Sequence, residues 1–357
     1  MDRHRPYRIA LVLSGGNALA SWQAGAFEAM AARGYAPDRI AGASAGAVNA
    51  ALIAGNPPER AVERLRAFWS PGAADVAGWW PDVDGWRRSA AVAGVMAMGR
   101  PGMFAPRPFF GQPWAGDGEP SPSLYDTAPM AAALRLMVDW ERANDGPMRL
   151  TLTAVDLETG ADAVFDAARM RLGPDHVRAS AALLPAFVPV ELEGRWYVDP
   201  GLSANLPLDA VLSEPPADAP LLCVALDLLP LSTPRPATIG ESVGRLQDLV
   251  FAAQTRRTID AWRAVYDLHG ATAPAVTLAR LSYADQSREV AGKAFDFSPE
   301  SAAERWIDGA AAMDVFLDAL EAGLVPIGAP GLHVHPDTRE PALAPGGFRL
   351  RAAETAG

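Results

Sequence analysis

The stretch IAGASAGAVNA, residues 40–50, places one serine, Ser44, between alanines and glycines in an otherwise apolar run. Residues 42–46 fit the G-x-S-x-G pattern of a nucleophile elbow, in which a serine stands on a sharp turn from a strand into a helix. The neighbours of that serine must be very small, because the strand and the helix approach each other closely there. We therefore predict that Ser44 is a nucleophile and that Gly42 and Gly46 allow the turn.

Strand and helix patterns alternate around this turn. Residues 7–13, YRIALVL, form a continuous apolar run of the kind found in strands covered on both faces, and residues 20–34 have helical spacing that ends at a glycine. Further strands are predicted within residues 148–166, 194–201 and 221–230. The alternation predicts an α/β fold with a mainly parallel sheet and helices on both faces.

Composition excludes several classes of function. Half of the 357 residues are apolar and a fifth are charged, which is typical of a globular protein with a large core. The net charge of -11 argues against a nucleic-acid partner, since phosphate binding depends on clustered basic side chains. It also argues against recruitment to anionic membranes, so we expect any peripheral membrane contact to be apolar.

The single cysteine and the N-terminus bear on localisation. Cys223 cannot form an internal disulfide, and its apolar surroundings predict a small buried side chain. The apolar run Ile9–Leu13 is shorter than the core of a signal peptide, and no stretch is long enough to span a bilayer. We expect a cytoplasmic protein, peripheral at a membrane if it contacts one. Neither a metal-ligand cluster nor a cofactor motif is present, and no feature indicates an oligomeric state.

The chain is predicted to have three parts. Residues 1–232 form the α/β core, residues 233–327 a mainly helical extension packed on it, and residues 328–357 a Pro-rich tail. An insertion at about 68–122 is rich in tryptophan and phenylalanine. Two explanations stay open for this insertion: it forms a wall of the substrate site, a lid or an interfacial contact, or it is ordinary packing around a long loop.

A serine hydroxyl needs a base within hydrogen-bond distance to act as a nucleophile. None of the five histidines lies in a strand-end loop of the usual kind, although His176 stays open as a candidate. Asp199 directly follows the strand pattern of residues 195–198, and strand ends at one edge of an α/β sheet are where sites form. Partial burial would raise its pKa enough for it to act as the base for Ser44. The alternative is an aspartate that caps a turn.

The loop after the first strand supplies the remaining part of the site. Gly15 and Gly16 let the backbone come close to a substrate, so we predict an oxyanion hole from the N–H groups of Gly15, Gly16 and Asn17, with Ala45 from the helix after the serine. The loop lacks the Gly-Lys-Ser/Thr ending of a phosphate-binding loop and the full G-x-G-x-x-G spacing. A nucleotide site is therefore disfavoured.

Three stretches together resemble the patatin-like phospholipases. They are LVLSGGNALASWQAGAFEAM at 11–30, GASAGAVNAALIAG at 42–55 and ASAALLPAFVPVELEGRWYVDPGLSANLPL at 179–208, in the order found in that family. The likeness covers about residues 7–230, and the later helical segments resemble an extension found in some bacterial members. It implies a three-layer α/β/α fold, a lipid or acyl-ester substrate, no cofactor, and a Ser–Asp dyad.

By position in those motifs, Ser44 would be the nucleophile and Asp199 the base. Four residues depart from the family pattern: Asn17 and Ala20 stand where glycines are common, Leu19 where a basic residue is common, and Pro200 where a glycine is usual. Asparagine tolerates left-handed backbone angles, so its N–H can still donate. The lost basic residue predicts a slower enzyme or a narrower substrate range.

Two other readings stay open on the sequence. One is a soluble esterase or thioesterase for short acyl groups. The other is a catalytically silent relative that binds lipid or protein, which the departures at Asn17, Leu19 and Pro200 suggest.

Overall fold

A computed structural model of the chain describes residues 5–69, 86–107 and 122–335. Its strands are β1 Arg8–Leu13, β2 Arg39–Gly42, β3 Ala105–Pro106, β4 Tyr125–Asp126, β5 Arg149–Asp156, β6 Asp162–Asp166, β7 Val190–Leu192, β8 Arg195–Val198, β9 Leu221–Asp227, β10 Ala275–Ser282 and β11 Gly331–His335. Its helices are α1 Ser21–Ala32, α2 Ala45–Ala54, α3 Pro58–Trp69, α4 Trp86–Met98, α5 Ala128–Met137, α6 Trp140–Asp145, α7 Pro174–Ser180, α8 Gly201–Ala204, α9 Asp209–Leu212, α10 Ile239–His269 and α11 Pro299–Glu321.

The central sheet is mainly parallel, as the alternating pattern predicts. Its strand order is β11-β10-β9-β1-β2-β5-β8-β7, with β6 also paired to β5. The pairs from β11 to β5 are all parallel, whereas β6, β8 and β7 are antiparallel to their neighbours. The predicted α/β class is confirmed. The antiparallel direction of β8 was not foreseen, and it changes how Asp199 arrives at the site.

Strand β1 is buried on both faces, which explains why its sequence is apolar. Ile9, Leu11 and Leu13 face one hydrophobic cluster, which includes side chains of α1, α2, α3 and α11. Ala10 and Val12 face a second cluster on the opposite side of the sheet, covered by α9 and α10. Because successive side chains of a strand point to opposite faces, a strand buried on both sides cannot alternate with polar residues. This burial produces the three-layer arrangement.

The C-terminal part of the chain is continuous with the sheet. Strand β10 pairs with β9 in parallel, and β11, which lies within the segment predicted to be a tail, pairs with β10 at the sheet edge. Ser298 caps helix α11, because its hydroxyl accepts a hydrogen bond from the Ser301 N–H. Cys223, in the middle of β9, is fully buried, and burial raises the pKa of its thiol to about 12. That cysteine is therefore a packing residue.

The aromatic insertion is described in part. Trp69 is buried at the end of α3, and Phe104 packs edge-on against Tyr125 and Phe187. These side chains are ordinary core packing. Residues 70–85 and 108–121, which contain Trp79, Trp80, Phe109, Phe110 and Trp114, lie outside the described residues.

Helices α1 and α11 pack with almost no space between their backbones. A Cβ placed on Gly25 of α1 would lie 2.0 Å from the carbonyl oxygen of Trp306, and one on Gly309 of α11 would lie 1.9 Å from that of Trp22. Glycine is required at both positions, because real Cβ atoms do not approach a carbonyl this closely. The extension is thereby fixed to the first helix of the core.

We predict that Gly309→Ala lowers the free energy of unfolding by about 1–3 kcal/mol or more, since 1–3 kcal/mol is the usual cost of overpacking. Gly244→Ala in α10 is the matched control, since a Cβ there meets nothing within 4 Å. That control should be neutral or stabilising by up to about 1 kcal/mol, because alanine favours a helix. Urea unfolding followed by circular dichroism measures both, and equal effects of the two substitutions would contradict the packing described here.

Candidate active site

Ser44 stands on the strained turn between β2 and α2. Its backbone has φ 55° and ψ -124°, a left-handed conformation that is unusual for a residue with a side chain and costs on the order of 1–2 kcal/mol. The turn is tightly packed: a Cβ on Gly42 would lie 2.4 Å from the Gly46 carbonyl oxygen, and one on Gly46 would lie 2.3 Å from that of Leu13. The strand and helix close up around the serine, as a nucleophile elbow requires.

The Ser44 backbone is held by a second serine that the sequence analysis did not single out. The Ser44 N–H donates to the hydroxyl oxygen of Ser180, at 3.0 Å, and Ser180 is fully buried at the end of α7. Ser180 lies in the ASAALLPAF stretch, so its place in a family motif was the available signal. This bond orients the turn through the backbone of Ser44 and does not involve the Ser44 hydroxyl.

Asp199 follows β8, as predicted, but β8 is antiparallel to β5, so Asp199 does not lie at the carboxyl end of a parallel strand. Within β5, only the last two residues pair with β8, and Val198 lies opposite Val155. One residue further, Asp199 is level with Ala154. Strand β6 occupies one side of β5, so β2 and β8 both lie on the other side. The β2 register has Gly42 opposite Leu152, so Ser44, two residues further, also comes level with Ala154. A short antiparallel strand therefore carries Asp199 back toward Ser44.

The Asp199 carboxyl is buried and only half satisfied. Its Oδ1 accepts from the Gly201 N–H at 2.7 Å, whereas Oδ2 is buried without a hydrogen bond of ordinary geometry. Burial raises the pKa of Asp199 to about 6, against the lowering effect of the Ser44 hydroxyl and the Gly201 N–H. The hydroxyl is thus close enough to influence the carboxyl, but the contact is looser than a formed hydrogen bond. Catalytic contacts are often loose without substrate and tighten when it binds.

Asn205 connects the loop of Asp199 to the loop after β1. Its side-chain N–H donates to the Gly15 carbonyl at 3.3 Å, and its own carbonyl accepts from the Gly15 N–H at 3.0 Å. Its Oδ1 lies 2.5 Å from a Cβ built on Gly15 and 3.4 Å from one built on Gly201. A Cβ on Gly15 would also lie 2.9 Å from that of Ser44. Asn205 was not identified from the sequence, and only its place six residues after Asp199 hinted at a role.

The N–H groups expected at the oxyanion hole differ in availability. The Gly15 N–H is already bonded to Asn205, so this donor is not free, and its prediction as an oxyanion donor does not fit the geometry. Within the described residues, no acceptor is bonded to the backbone N–H of Gly16, Asn17 or Ala45. These three amides remain candidates.

The glycine-rich loop tolerates its departures for identifiable reasons. Asn17 has φ 51°, a conformation that asparagine adopts more readily than most residues, so its backbone follows the path expected of a glycine. Leu19 is fully buried in the core, where a basic residue would be unfavourable. A cation contacts the loop from elsewhere: Arg305 of α11 donates to the Ala18 carbonyl at 3.2 Å, while Glu289 neutralises its charge at 2.6 Å.

A buried chain of amides fixes the same loop from below. The Trp69 indole N–H donates to Asn49, whose side chain donates to Gln23, and Gln23 in turn donates to the carbonyl of Ser14 at 2.9 Å. The Ser14 hydroxyl accepts from the Leu228 N–H at 3.0 Å. Because these buried groups are all bonded, the loop is preorganised by the core.

The four histidines that the structure describes take no part in the site. His176 accepts from the Gly173 N–H through Nδ1, and burial lowers its pKa. His269 contacts the Val265 carbonyl at the end of α10, His333 the Pro330 carbonyl, and His335 the ring of Phe316. His4 lies outside the described residues. The four described histidines thus have other partners, and the described ranges contain no group of three His, Cys, Asp or Glu side chains suited to a metal.

The fold and the serine turn correspond to a known class of enzyme. A family model described as patatin-like phospholipase matches residues 11–212, more than half of the chain. The chain belongs to the patatin-like phospholipase family, whose members are ester-bond hydrolases. A search of curated proteins gave no significant match.

Solved structures show more distant likeness. VipD from Legionella pneumophila is 14% identical with a TM-score of 0.44, over 88% of this chain and 67% of that one. ExoU, from Pseudomonas aeruginosa, is 15% identical with a TM-score of 0.37, over 89% and 54%. Human GIVD cytosolic phospholipase A2 is 11% identical with a TM-score of 0.40, over 91% and 62%. This chain therefore spans only part of their length.

We predict that Asp199→Asn stabilises the protein at pH 8. A carboxyl whose pKa is raised to about 6 binds its proton more tightly in the folded state, so ionisation costs stability as the pH rises from about 4 through 6. Asparagine removes that cost, for a gain of at most about 3 kcal/mol at pH 8 and less at pH 5. Urea unfolding at both pH values is the measurement.

Asp156→Asn is the opposing control. Hydrogen bonds from the Thr159 N–H and hydroxyl lower the pKa of Asp156, so its charge favours the folded state above its ordinary pKa. This substitution should therefore destabilise the protein at pH 8. A gain from Asp199→Asn that does not change with pH would show that buried charge is not its cause.

Proposed function

We propose that this protein hydrolyses fatty-acyl esters of lipids with Ser44 as the nucleophile and Asp199 as the base. The observation that carries the proposal is the half-satisfied carboxyl of Asp199: a buried oxygen without a formed hydrogen bond, a pKa of about 6, and the Ser44 hydroxyl as a neighbour. Membership in the patatin-like phospholipase family supports the lipid substrate.

In the first half of the reaction, Asp199 Oδ2 takes the hydroxyl proton of Ser44 as Oγ bonds to the acyl carbonyl carbon. The tetrahedral intermediate collapses when the C–O bond to the leaving alcohol breaks, and Asp199 returns the proton to that alcohol. The product is an acyl-serine. Water then attacks the acyl carbon, Asp199 takes one proton from it, and the fatty acid leaves as Ser44 regains its proton.

The negative charge of each tetrahedral intermediate requires donors that the substrate-free protein leaves unbonded. The N–H groups of Gly16, Asn17 and Ala45 satisfy this condition, and Ala45 also begins α2, where the helix dipole favours an anion. Gly15 shapes the loop without donating. We thus assign three backbone donors and no side-chain cation to the oxyanion hole.

Labelling with a fluorophosphonate probe tests the nucleophile. The wild-type protein should be labelled and should hydrolyse a chromogenic fatty-acyl ester, whereas Ser44→Ala should lose both labelling and turnover without unfolding. Ser203→Ala is the matched control, because Ser203 is an exposed serine close to Asp199 in sequence and bonds to Asp162. Undiminished turnover by Ser44→Ala would refute the assignment.

The pH dependence tests the base. Only ionised Asp199 can accept the proton, so kcat/KM should rise with pH through about 6 and level off above it. Asp199→Asn should lower kcat by orders of magnitude while the fold is retained. A profile that is flat between pH 5 and 8 in the wild-type protein would contradict a role for this carboxyl.

Acyl-chain length separates lipid hydrolysis from short-chain ester hydrolysis. For a lipid acyl hydrolase, kcat/KM should rise from butyryl to decanoyl and longer esters, because each added methylene group of the acyl chain is buried against apolar protein surface. A maximum at acetyl or butyryl would favour a soluble esterase or thioesterase. An intact fold with neither labelling nor turnover would favour a silent, lipid-binding relative.

A further inference from the structure

Helix α10 has two different faces. Phe251, Thr255 and Ile259 are buried on the side that faces the rest of the protein. On the opposite side, Ile239, Val243, Leu246 and Val250 are 86%, 64%, 62% and 40% exposed. Their spacing of four, three and four residues places them in one row on a helix. We call these four residues the apolar stripe.

The three charged residues between Ile239 and Val250 are each bonded to other groups of the protein. Asp248 is buried and paired with Lys293 at 2.7 Å. The Arg245 guanidinium donates to the carbonyls of Pro230 and Leu231. Glu241 accepts from the Ala237 N–H beside the helix start. An exposed helix face is ordinarily polar, so four large aliphatic side chains without charged neighbours require a different explanation.

The inner face of the same helix contacts the candidate active site. The Gln254 side chain accepts from the Asn205 N–H at 3.1 Å, and Phe251 lies 3.0 Å from a Cβ built on Gly201. Leu202, next to Gly201, is 65% exposed. Since a helix is about 10–12 Å wide, a surface resting on the apolar stripe lies about one helix diameter from the loop of Asp199.

We propose that the apolar stripe docks the protein on the uncharged surface of a lipid aggregate. The inference rests on the proposed function, because a lipid ester is presented at such a surface. An amphipathic helix with bulky apolar residues binds at the boundary between headgroups and acyl chains. The net charge of -11 favours zwitterionic over anionic headgroups, and Arg245, the one basic residue between Ile239 and Val250, is bonded to backbone carbonyls.

A partner helix is the competing occupant, since spacings of three and four also suit a coiled coil. Such a seam is normally flanked by charged residues that select the partner. The flanking positions here are Gly240, Ser242, Gln247 and Leu249, which carry no charge. Uncharged flanking residues cannot select one partner helix over another. Binding to a lipid surface does not require such selection.

Flotation with phosphatidylcholine vesicles tests the docking. Ser44→Ala is the parent protein, so that no lipid is consumed. Adding Val243→Asp and Leu246→Asp should reduce the vesicle-bound fraction at least about tenfold, because two aliphatic side chains are replaced by charged ones. The matched control adds Ile307→Asp and Val315→Asp on α11, which are 67% and 52% exposed and lie outside the stripe. This control should bind like the parent.

Several results would overturn the proposal. They are equal loss in the control, unchanged binding of the stripe variant, or binding of the parent only to vesicles that contain anionic lipid. A parent dimer that Val243→Asp and Leu246→Asp convert to a monomer would assign the stripe to a second copy of the chain instead.

Hydrolysis of a soluble short-chain ester separates the two hypotheses. With Ser44 intact, the stripe variant should keep its rate on that ester while losing hydrolysis of vesicle lipid. Vesicle binding without any esterase activity would refute the proposed function and leave the docking intact. Full hydrolysis of vesicle lipid by the stripe variant would refute the docking and leave the proposed function intact.

Discussion

The close backbone contacts of the start of α2 with the ends of β1 and β2 determine the rest of the site. Gly46 can approach the Leu13 carbonyl, and Gly42 the Gly46 carbonyl, only because neither carries a Cβ. This contact forces Ser44 into a left-handed conformation and brings the start of α2 beside the loop after β1. Any side chain at those glycines would separate the serine from the free N–H groups of Gly16 and Asn17. The geometry on which the proposed chemistry depends is therefore a consequence of packing, and the strain of one residue is offset by the core around it.

Among the described residues, Asp199 differs from the other buried carboxylates because no cation pairs with it. Asp227 is paired with Arg280, Asp248 with Lys293, and Asp296 with Arg88. Each of those pairs serves structure, because a buried charge is stable when its partner neutralises it. Asp199 instead has a single backbone donor and a neighbouring hydroxyl, so burial keeps its pKa high. The same feature that makes this carboxyl unfavourable for folding makes it suitable for taking a proton near neutral pH.

What the sequence predicts well is local, and what it misses depends on long-range pairing. The elbow at Ser44, the helix ends and the buried strand β1 follow from glycine, capping and periodicity within a few residues. The antiparallel direction of β8 depends on its pairing with the end of β5, which its own four residues do not encode. The bond that occupies the Gly15 N–H comes from a residue 190 positions away. Asn205 and Ser180 were missed for the same reason, since a buried amide or hydroxyl has no pattern of its own.

The C-terminal segment contributes to the site as well as to the fold, and this gives meaning to the residues that depart from the family pattern. Leu19 fills core volume in the loop where a basic residue is common, and no charge from the loop itself remains. Arg305 contacts that loop from α11, but Glu289 and Asp296 neutralise it, so its effect is to position the Ala18 carbonyl. In the proposed mechanism, stabilisation of the oxyanion then comes from backbone N–H groups. Helix α10 contacts Asn205 and α11 contacts Ala18, so the extension positions the loops that carry those groups.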